Sequence, residues 1–215
     1  MAKAKQIEKD LSTEEKIKTA AKKLFTKNGF EATRTRDIAE EAGINLALLN
    51  YYFRSKQKLF EIVMKENIVL FISGMLEDIE HKAQMTASEK LELFIDRYID
   101  MLIANPDLPF FMISVSRNES FFMDEDNDPI AIEMRKARSS FLPVLIEFVG
   151  KKNIEHLHPM HIMANFMALI VFPFAASNML RYRAGKISKT EFEKLMIERK
   201  KLIPVWLKNM YSAVK

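Results

Sequence analysis

One helix-start pattern precedes three apolar, helically spaced segments of this chain and limits what it can fold into. Ser12–Glu15, Thr86–Glu89 and Ser188–Glu191 each place a hydroxyl three residues before a glutamate. In such a capping box the hydroxyl accepts a hydrogen bond from a free backbone N–H at a helix start, and the glutamate reaches back to another. Apolar residues at helical spacing follow each box, and no strand-like alternation persists. The sequence therefore predicts an all-α protein of about nine helices.

Glycine, proline and single capping residues predict further helix ends. Gly29 and Gly150 are expected just past the ends of two helices, because glycine tolerates the left-handed backbone found there. Asn45 and Ser55 are expected to cap helix starts with their side chains. Pro129 is expected in the first turn of a helix, where its missing N–H costs nothing. The acidic residues before it, 123–128, are predicted to form an exposed loop.

Composition argues against several classes of protein. The chain of 215 residues has no Cys, so the fold uses no disulfide and no thiolate chemistry, which suits a cytoplasmic location. Its N-terminus is polar and lacks the apolar segment of a secretory signal. No nucleophile–base arrangement, paired-carboxylate motif or glycine-rich phosphate loop is apparent. We therefore expect no enzymatic activity and no cofactor.

The segment 160–176 is nearly all apolar but reaches only the short limit for a membrane span. Pro173 interrupts it. A helix that is apolar on all sides is otherwise buried in a core or in an interface between subunits. We expect a buried or oligomeric helix, part of a helix from about Pro159 to about Tyr182, and no membrane partner.

Charge is distributed unevenly along the chain. Residues 1–58 hold 13 Lys and Arg against 8 Asp and Glu, a net charge of +5, whereas residues 59–185 carry −6 and residues 186–215 carry +5. A basic N-terminal part on an acidic middle suggests that the N-terminal part meets a polyanion. An ordinary lysine-rich, solvated surface with no polyanion partner would show the same distribution of charge.

Residues 35–53 fit a helix-turn-helix. Ile38 and Ala39 supply the contact between two helices, Gly43 supplies a turn with positive φ, and Leu49 faces inward. Leu46, Ala47, Asn50 and Tyr51 then lie on the opposite face. There, apolar side chains can contact thymine methyl groups, Asn50 can pair with adenine, and Tyr51, Lys56 and residues 33–36 can reach phosphates. A helical hairpin with no DNA role would satisfy the same pattern.

The segment 12–60 resembles the DNA-binding domain of the TetR family of transcriptional regulators. Its motifs are Ala20–Ala21 with Leu24–Phe25, Gly29–Phe30 with Ala32–Thr33, Ile38–Ala39 with Ala42–Ile44, and Tyr52–Phe53 with Ser55, Lys56 and Leu59. The recognition helix departs from the common pattern, with Leu46, Ala47 and Asn50 where lysine, glycine and tyrosine are usual. It resembles a subgroup that reads Asn-x-x-x-Leu-Asn-Tyr-Tyr-Phe.

The resemblance implies two domains and a function. Residues 1–54 would form a three-helix DNA-binding domain, and residues 55–215 a helical domain that binds a ligand and dimerises. The protein would be a ligand-responsive repressor that binds palindromic double-stranded DNA as a homodimer and is released by a small, largely apolar ligand. The predicted DNA-contacting residues are Thr33, Arg34, Thr35, Arg36, Asn45, Leu46, Ala47, Asn50, Tyr51, Tyr52 and Lys56.

Large apolar side chains suggest where a ligand would bind. The 14 Met and 16 Phe include many flexible or polarisable side chains, which suit an adaptable apolar cavity, although each of them could equally be ordinary core. The predicted cavity residues are Phe71, Met75, Phe94, Arg97, Tyr98, Met101, Phe111, Met112 and Phe141. Arg97 is the polar candidate among them.

The last two predicted helices carry the expected dimer contacts, because two such hairpins from two chains make a four-helix interface. The predicted interface residues are Ile162, Phe166, Leu169, Ile170, Phe174, Phe192, Leu195, Met196, Arg199, Leu202, Ile203 and Trp206.

Two other interpretations remain open on the sequence alone. The histidines His156, His158 and His161 have a spacing that could hold a metal, but no Cys accompanies them and Pro159 indicates a helix start, so we predict no metal site. The chain could also be an all-α enzyme or carrier with a purely structural helix-turn-helix, or an interaction module whose basic part binds an acidic protein.

Overall fold

The computed structural model describes residues 2–81, 84–116 and 128–212, and the side chains of residues 12–79, 84–113 and 128–212. Every regular element in these ranges is a helix. The helices are α1 (Ala2–Ala32), α2 (Thr35–Glu41), α3 (Leu46–Phe53), α4 (Lys56–His81), α5 (Ala87–Ala104), α6 (Leu108–Ser116), α7 (Pro129–Val149), α8 (Lys151–Ile154), α9 (Pro159–Ala175), α10 (Ser177–Arg183) and α11 (Lys189–Ser212). The all-α prediction is confirmed, whereas residues 123–127 of the predicted acidic loop lie outside the described ranges.

Two of the three capping boxes begin helices as predicted. Thr86 Oγ1 accepts from the Glu89 N–H at 3.3 Å, and Glu89 Oε2 accepts from the Thr86 N–H at 2.7 Å. Ser188 Oγ accepts from the Glu191 N–H at 3.1 Å. The Ser12 box is wrong as a helix start, because α1 runs through it from Ala2. No glycine or proline precedes Gly29, so nothing in the local sequence breaks the helix there.

The described residues form eleven helices rather than the predicted nine, and two features near the C-terminus account for the difference. Lys151–Ile154 forms the short α8 after Gly150, whose φ of 90° ends α7. The predicted helix from Pro159 to about Tyr182 is two helices, α9 and α10, with axes 73° apart. Pro173, in the last turn of α9, lacks the N–H that a continuous helix would use there.

The core is one continuous apolar cluster from Ile17 in α1 to Tyr211 in α11. Within it an aromatic group joins the N-terminal helices to α4 and α6. The Phe60 ring lies 5.0 Å from that of Phe25, 4.7 Å from that of Phe30 and 5.9 Å from that of Phe111, measured between centroids. Because these rings come from α1, α4 and α6, the N-terminal part is packed onto the rest of the molecule.

None of the described helices is, by itself, both long enough and apolar enough to cross a lipid bilayer. The bent pair α9 and α10 would satisfy the length and composition only if the two were counted together.

Candidate DNA-binding surface and ligand cavity

The turn between α2 and α3 is fixed by backbone hydrogen bonds and two special residues. The Ile44 N–H donates to the Ala39 carbonyl at 2.9 Å, and the Gly43 N–H donates to the Glu40 carbonyl at 3.0 Å. Gly43 has a φ of 67°, a conformation that a side chain disfavours. Asn45 Oδ1 accepts from the Leu48 N–H at 2.8 Å and caps α3. The predicted helix-turn-helix geometry is therefore present.

Helix α3 has one buried face and one exposed face. Leu49 and Phe53 are buried with Ile38 of α2. Ala47, Asn50 and Tyr51 are exposed, Tyr51 by 79%. Of the other predicted residues on α3, Leu46 is half-buried and Tyr52 packs partly against the core. Since the buried residues fix the rotation of the helix, the exposed trio is presented outward.

Thr33 lies inside the protein, contrary to the expectation that its hydroxyl faces outward. Its side chain is only 1% exposed. The hydroxyl lies 2.7 Å from the Gly29 carbonyl oxygen and 3.2 Å from that of Leu24, to which it donates. It therefore supports the end of α1 rather than presenting a donor at the surface.

Lys56 binds its own chain. Its ammonium donates to the carbonyl oxygens of Phe30, at 2.9 Å, and Thr33, at 3.1 Å, and lies 4.2 Å from the centroid of the Phe30 ring. Carbonyls at the end of a helix have no partner within the helix, so a lysine can stabilise them. Lys56 thus joins α4 to the segment between α1 and α2. Sequence reasoning missed this role, because nothing local to Lys56 indicates it.

Three further predicted residues lie at the start of α2. Arg34 and Arg36 are exposed and Thr35 is half-buried. Arg34 occupies the N-cap position without a side-chain hydrogen bond to the helix. The two guanidinium groups are thus available at the surface beside the helix-turn-helix.

A cavity of about 440 Å³ lies between α4, α5, α6, α7 and α9. This volume is within the usual range of about 300–1,000 Å³ for small-molecule sites. The predicted residues on its wall are Phe71, Met75, Phe94, Tyr98, Met101, Met112 and Phe141. Aromatic rings of this set pack on one another, and the centroids of the stacked Phe94 and Phe141 rings lie 3.9 Å apart. Burial raises the pKa of Tyr98 to about 12, so its hydroxyl stays protonated.

Two predicted cavity residues are elsewhere. Arg97 forms an ion pair with Asp78, and Phe111 is buried against Phe60. Two helices, α7 and α9, supply further lining residues that were not predicted from the sequence. On α9 these are Met163, Met167 and Val171, and on α7 they are Ala131, Met134, Arg135, Ala137 and Arg138. The helical spacing of the α7 set around Phe141 was the signal that could have found it.

Most predicted dimer residues are buried within the single chain. Ile162, Phe166, Ile170, Phe174, Phe192, Met196 and Ile203 all belong to its own core. Leu195 and Leu202 are exposed, whereas Leu169, Arg199 and Trp206 are half-buried. The correction follows from packing: the apolar stripes of α9 and α11 that look available in the sequence face each other and α5 or α7.

Arg199 also has a partner within the chain. Its Nη2 donates to the Leu169 carbonyl oxygen at 2.7 Å, and its guanidinium lies 4.8 Å from the Trp206 ring centroid. In a regular helix that carbonyl would accept from the N–H of residue 173, which is proline here. Burial lowers the pKa of Arg199. Arg199 therefore replaces a helix hydrogen bond that Pro173 cannot make.

A different stripe of α9 and α11 is exposed. Ala164, Ala168 and Phe172 lie along α9 at successive turns, and Leu195, Leu202 and Val205 lie along α11. Phe172 is 54% exposed and Val205 53%. Small alanines beside large apolar side chains form a surface that another helix can approach closely.

One member of the histidine cluster caps a helix. His158 Nδ1 accepts from the Met160 N–H at 3.2 Å and caps α9 ahead of Pro159. No group of three or more His, Cys, Asp or Glu side chains in the described part of the chain could hold a metal ion.

Comparison with known proteins supports the DNA-binding assignment. Residues 17–63 match the family described as "Bacterial regulatory proteins, tetR family". The fatty acid metabolism regulator protein of Bacillus subtilis is 34% identical over 89 residues, which are 41% of this chain and 45% of that protein. The HTH-type transcriptional regulator RutR of Escherichia coli is 32% identical over 84 residues, 38% of this chain and 40% of that protein. The chain thus matches less than half the length of these relatives.

The fold is shared over most of the chain. The fatty acid degradation regulator FadR from Bacillus halodurans has a TM-score of 0.51 at 16% identity, covering 88% of this chain and 97% of that one. At this identity the likeness concerns the fold alone. The relatives are transcriptional regulators, and no enzyme family is indicated. The chain has a TetR-like helical fold, and its residues 17–63 match the N-terminal domain of bacterial regulatory proteins of the tetR family.

Proposed function

We propose that this chain is a transcriptional repressor that binds a palindromic operator as a homodimer and releases it when a small, largely apolar ligand enters the cavity. The observation that carries the proposal is the exposed face of α3. Ala47, Asn50 and Tyr51 lie on that face while Leu49 and Phe53 anchor the helix from behind. A recognition helix needs this combination of exposed base-reading side chains and a fixed rotation.

Recognition of the DNA sequence is assigned to two kinds of contact between α3 side chains and bases. Asn50 can donate to N7 and accept from N6 of one adenine, the pairing that the major groove offers an amide. Ala47, with Leu46 at its edge, can contact a thymine methyl group. The remaining recognition-helix residues support them, since Asn45 caps α3 and Tyr52 packs partly on the core.

Phosphate contacts are assigned to Tyr51, Arg34 and Arg36, which are exposed, with Thr35 beside them. Thr33 is removed from the set, because its hydroxyl is buried and bonded to carbonyls. Lys56 is reassigned as a positioning residue that holds the start of α2 through the Thr33 carbonyl. The proposed boundary between the DNA-binding domain and the ligand-binding domain remains between residues 54 and 55.

The homodimer is proposed to form through the exposed stripe of α9 and α11, with Phe172, Leu202 and Val205 at its centre. Two-fold dimers are the commonest oligomers, and such an interface is self-complementary. It would place two copies of α3 on one side of the duplex, so that each reads one half of a palindrome.

Ligand response is proposed to pass through α6 to the end of α1. Leu108, Pro109 and Met112 of α6 line the cavity. Asp107, directly before α6, accepts a hydrogen bond from the Phe30 N–H at 2.6 Å. A ligand that displaces α6 would therefore move the acceptor that holds the end of α1, and only a difference in affinity between the two conformers can drive this shift.

Two of the similar proteins are named for fatty acid metabolism or degradation. For this chain we carry over only the chemical suggestion that the ligand contains an apolar chain. The wall of Phe, Met and Ile side chains is compatible with such a ligand.

Selection of binding sites from a random DNA pool tests the DNA-binding part. The expected result is an enriched site with two-fold symmetry, bound by two chains. Asn50→Ala should relax preference at one base position in each half-site, at a cost of ~1–3 kcal/mol, and Tyr51→Ala should weaken binding to all sequences alike. Lys152→Ala, on the exposed surface of α8, is the control. Selection of no sequence would favour an enzyme, carrier or protein-interaction role and would sink the proposal.

A further inference from the structure

The cavity is strongly apolar, yet two exposed arginines lie on its wall. Arg135 and Arg138, one turn apart on α7, are the only charged residues on its described wall, which includes no Asp, Glu, Lys or His. Tyr98 is the remaining side chain there with a hydroxyl. Both arginines are exposed, whereas Phe141, one turn beyond Arg138 on the same face, is buried. The exposed arginines of the α7 wall thus lie between the buried lining residues Ala131 and Phe141.

Arg138 has no hydrogen bond or ion pair to another described residue. Its neighbour Lys136, on another side of α7, is paired with Glu133 at 2.7 Å. A guanidinium group binds a carboxylate with two parallel hydrogen bonds. A ligand with a hydroxyl or an ammonium head group cannot form this pair of bonds. The positive charge of Arg138 on the wall of an apolar cavity also repels a cation.

From this arrangement we infer that the cavity selects an amphipathic organic anion: an apolar body among Phe94, Phe141 and Met167, with a carboxylate at Arg138. The inference rests on the proposal above that the cavity is the regulatory ligand site. Uncharged apolar compounds fit the body of the cavity but leave Arg138 unused. Lipophilic cations are excluded by charge.

Calorimetric titration of the full chain in the absence of DNA tests the inference. Decanoate, decanol and decyltrimethylammonium share one alkyl chain and differ in head-group charge. Decanoate is expected to bind most tightly, decanol more weakly and the cation not at all. Decanoyl coenzyme A, run in parallel, distinguishes a free acid from a larger thioester whose anionic groups would lie outside the cavity.

Two variants locate the head group. Arg138→Gln should weaken decanoate binding about tenfold to hundredfold, as expected for loss of a charge-assisted hydrogen bond, and leave decanol binding unchanged. Arg138→Glu should abolish decanoate binding and admit the cation. Lys136→Gln removes a positive charge from the same helix away from the cavity and should change neither. Thermal unfolding of each variant checks that it is folded.

Equal affinity for decanoate and decanol, or an unchanged decanoate affinity in Arg138→Gln, would overturn the inference and leave the proposed repressor intact. Binding of none of the probes would overturn the anion selectivity and the proposed ligand site together. DNA binding is measured separately, so its failure cannot be mistaken for either result.

Discussion

The body of this molecule contains a large cavity, whereas the junction between the body and the N-terminal helices is closely packed. We call α1–α3 with the first turns of α4 the head, and the remaining helices the body. Where the head meets the body, the cavity next to Phe25 and Phe60 measures only about 10 Å³, whereas the cavity between the helices of the body measures about 440 Å³. The head thus meets the body with little empty space at this point, whereas the body contains a cavity of ligand size.

The contrast indicates what each region needs. A recognition helix must keep one orientation, because a small displacement breaks several base and phosphate contacts at once. A ligand site must leave volume unfilled and line it with side chains that adapt, such as Met112, Met163 and Met167. The two requirements meet where Asp107 and Phe60 join the regions.

The largest expected difference concerns core truncation. Phe60→Ala in the head should lower the free energy of unfolding by ~3–5 kcal/mol, because it leaves a cavity among three rings. Met167→Ala in the body should cost only about 1 kcal/mol, since that side chain already borders empty volume. Urea unfolding at equilibrium measures both. Equal losses would mean that the body is as tightly packed as the head.

A second comparison concerns polar groups in the body. Arg199→Met should cost ~1.5–3 kcal/mol, because the Leu169 carbonyl loses its charged donor while the aliphatic stem remains. In a Pro173→Ala background the cost should fall, since the introduced alanine can supply the missing helix N–H. A double-mutant cycle in urea measures the coupling. Additive costs would show that Arg199 does not compensate for Pro173.

The junction between head and body is tested at Asp107. Asp107→Ala should cost ~1–3 kcal/mol and weaken DNA binding, because the Phe30 N–H loses its acceptor. Asp107→Asn, which keeps an oxygen acceptor, should retain most of the stability and most of the DNA binding. Amide hydrogen exchange at the end of α1 should be faster in the alanine variant only. Unchanged exchange there would show that Asp107 does not carry the proposed ligand response from α6 to α1.

The smallest expected effects contrast two glycines. Gly43→Ala should destabilise the head by ~1–2 kcal/mol, because its φ of 67° disfavours a side chain. Gly74→Ala should stabilise the body by ~0.5–1 kcal/mol, because Gly74 lies within α4 and its added methyl group meets open space. Thermal unfolding of the matched pair checks the signs. A stabilising Gly43→Ala would mean that the turn is not held in this conformation.

Features decided within a few residues could be predicted from the sequence. Capping by Asn45, Ser55 and Thr86, the turn at Gly43 and the inward position of Leu49 depend on local backbone chemistry and helical spacing. The box at Ser12 is the exception, because a capping pattern does not end a helix that nothing interrupts.

Features decided by distant contacts could not be predicted. The dimer prediction on α9 selected Ile162 and Phe166, but a helix apolar on most sides gives no signal for which side meets its own chain. Lys56 and Thr33 resembled phosphate contacts until the structure placed their donors on backbone carbonyls. Arg138 carried no signal, since it becomes a cavity residue only when α7 packs beside α4 and α5.

The central claim is that the head reads a specific palindrome as a dimer. Its most direct test is a DNase footprint on the DNA upstream of the protein's own gene, with excess non-specific competitor and at two salt concentrations. We expect a protected site of two-fold symmetry that survives the competitor. Protection that the competitor abolishes and that falls steeply with salt, with no symmetric site, would contradict it, because only phosphate attraction would remain.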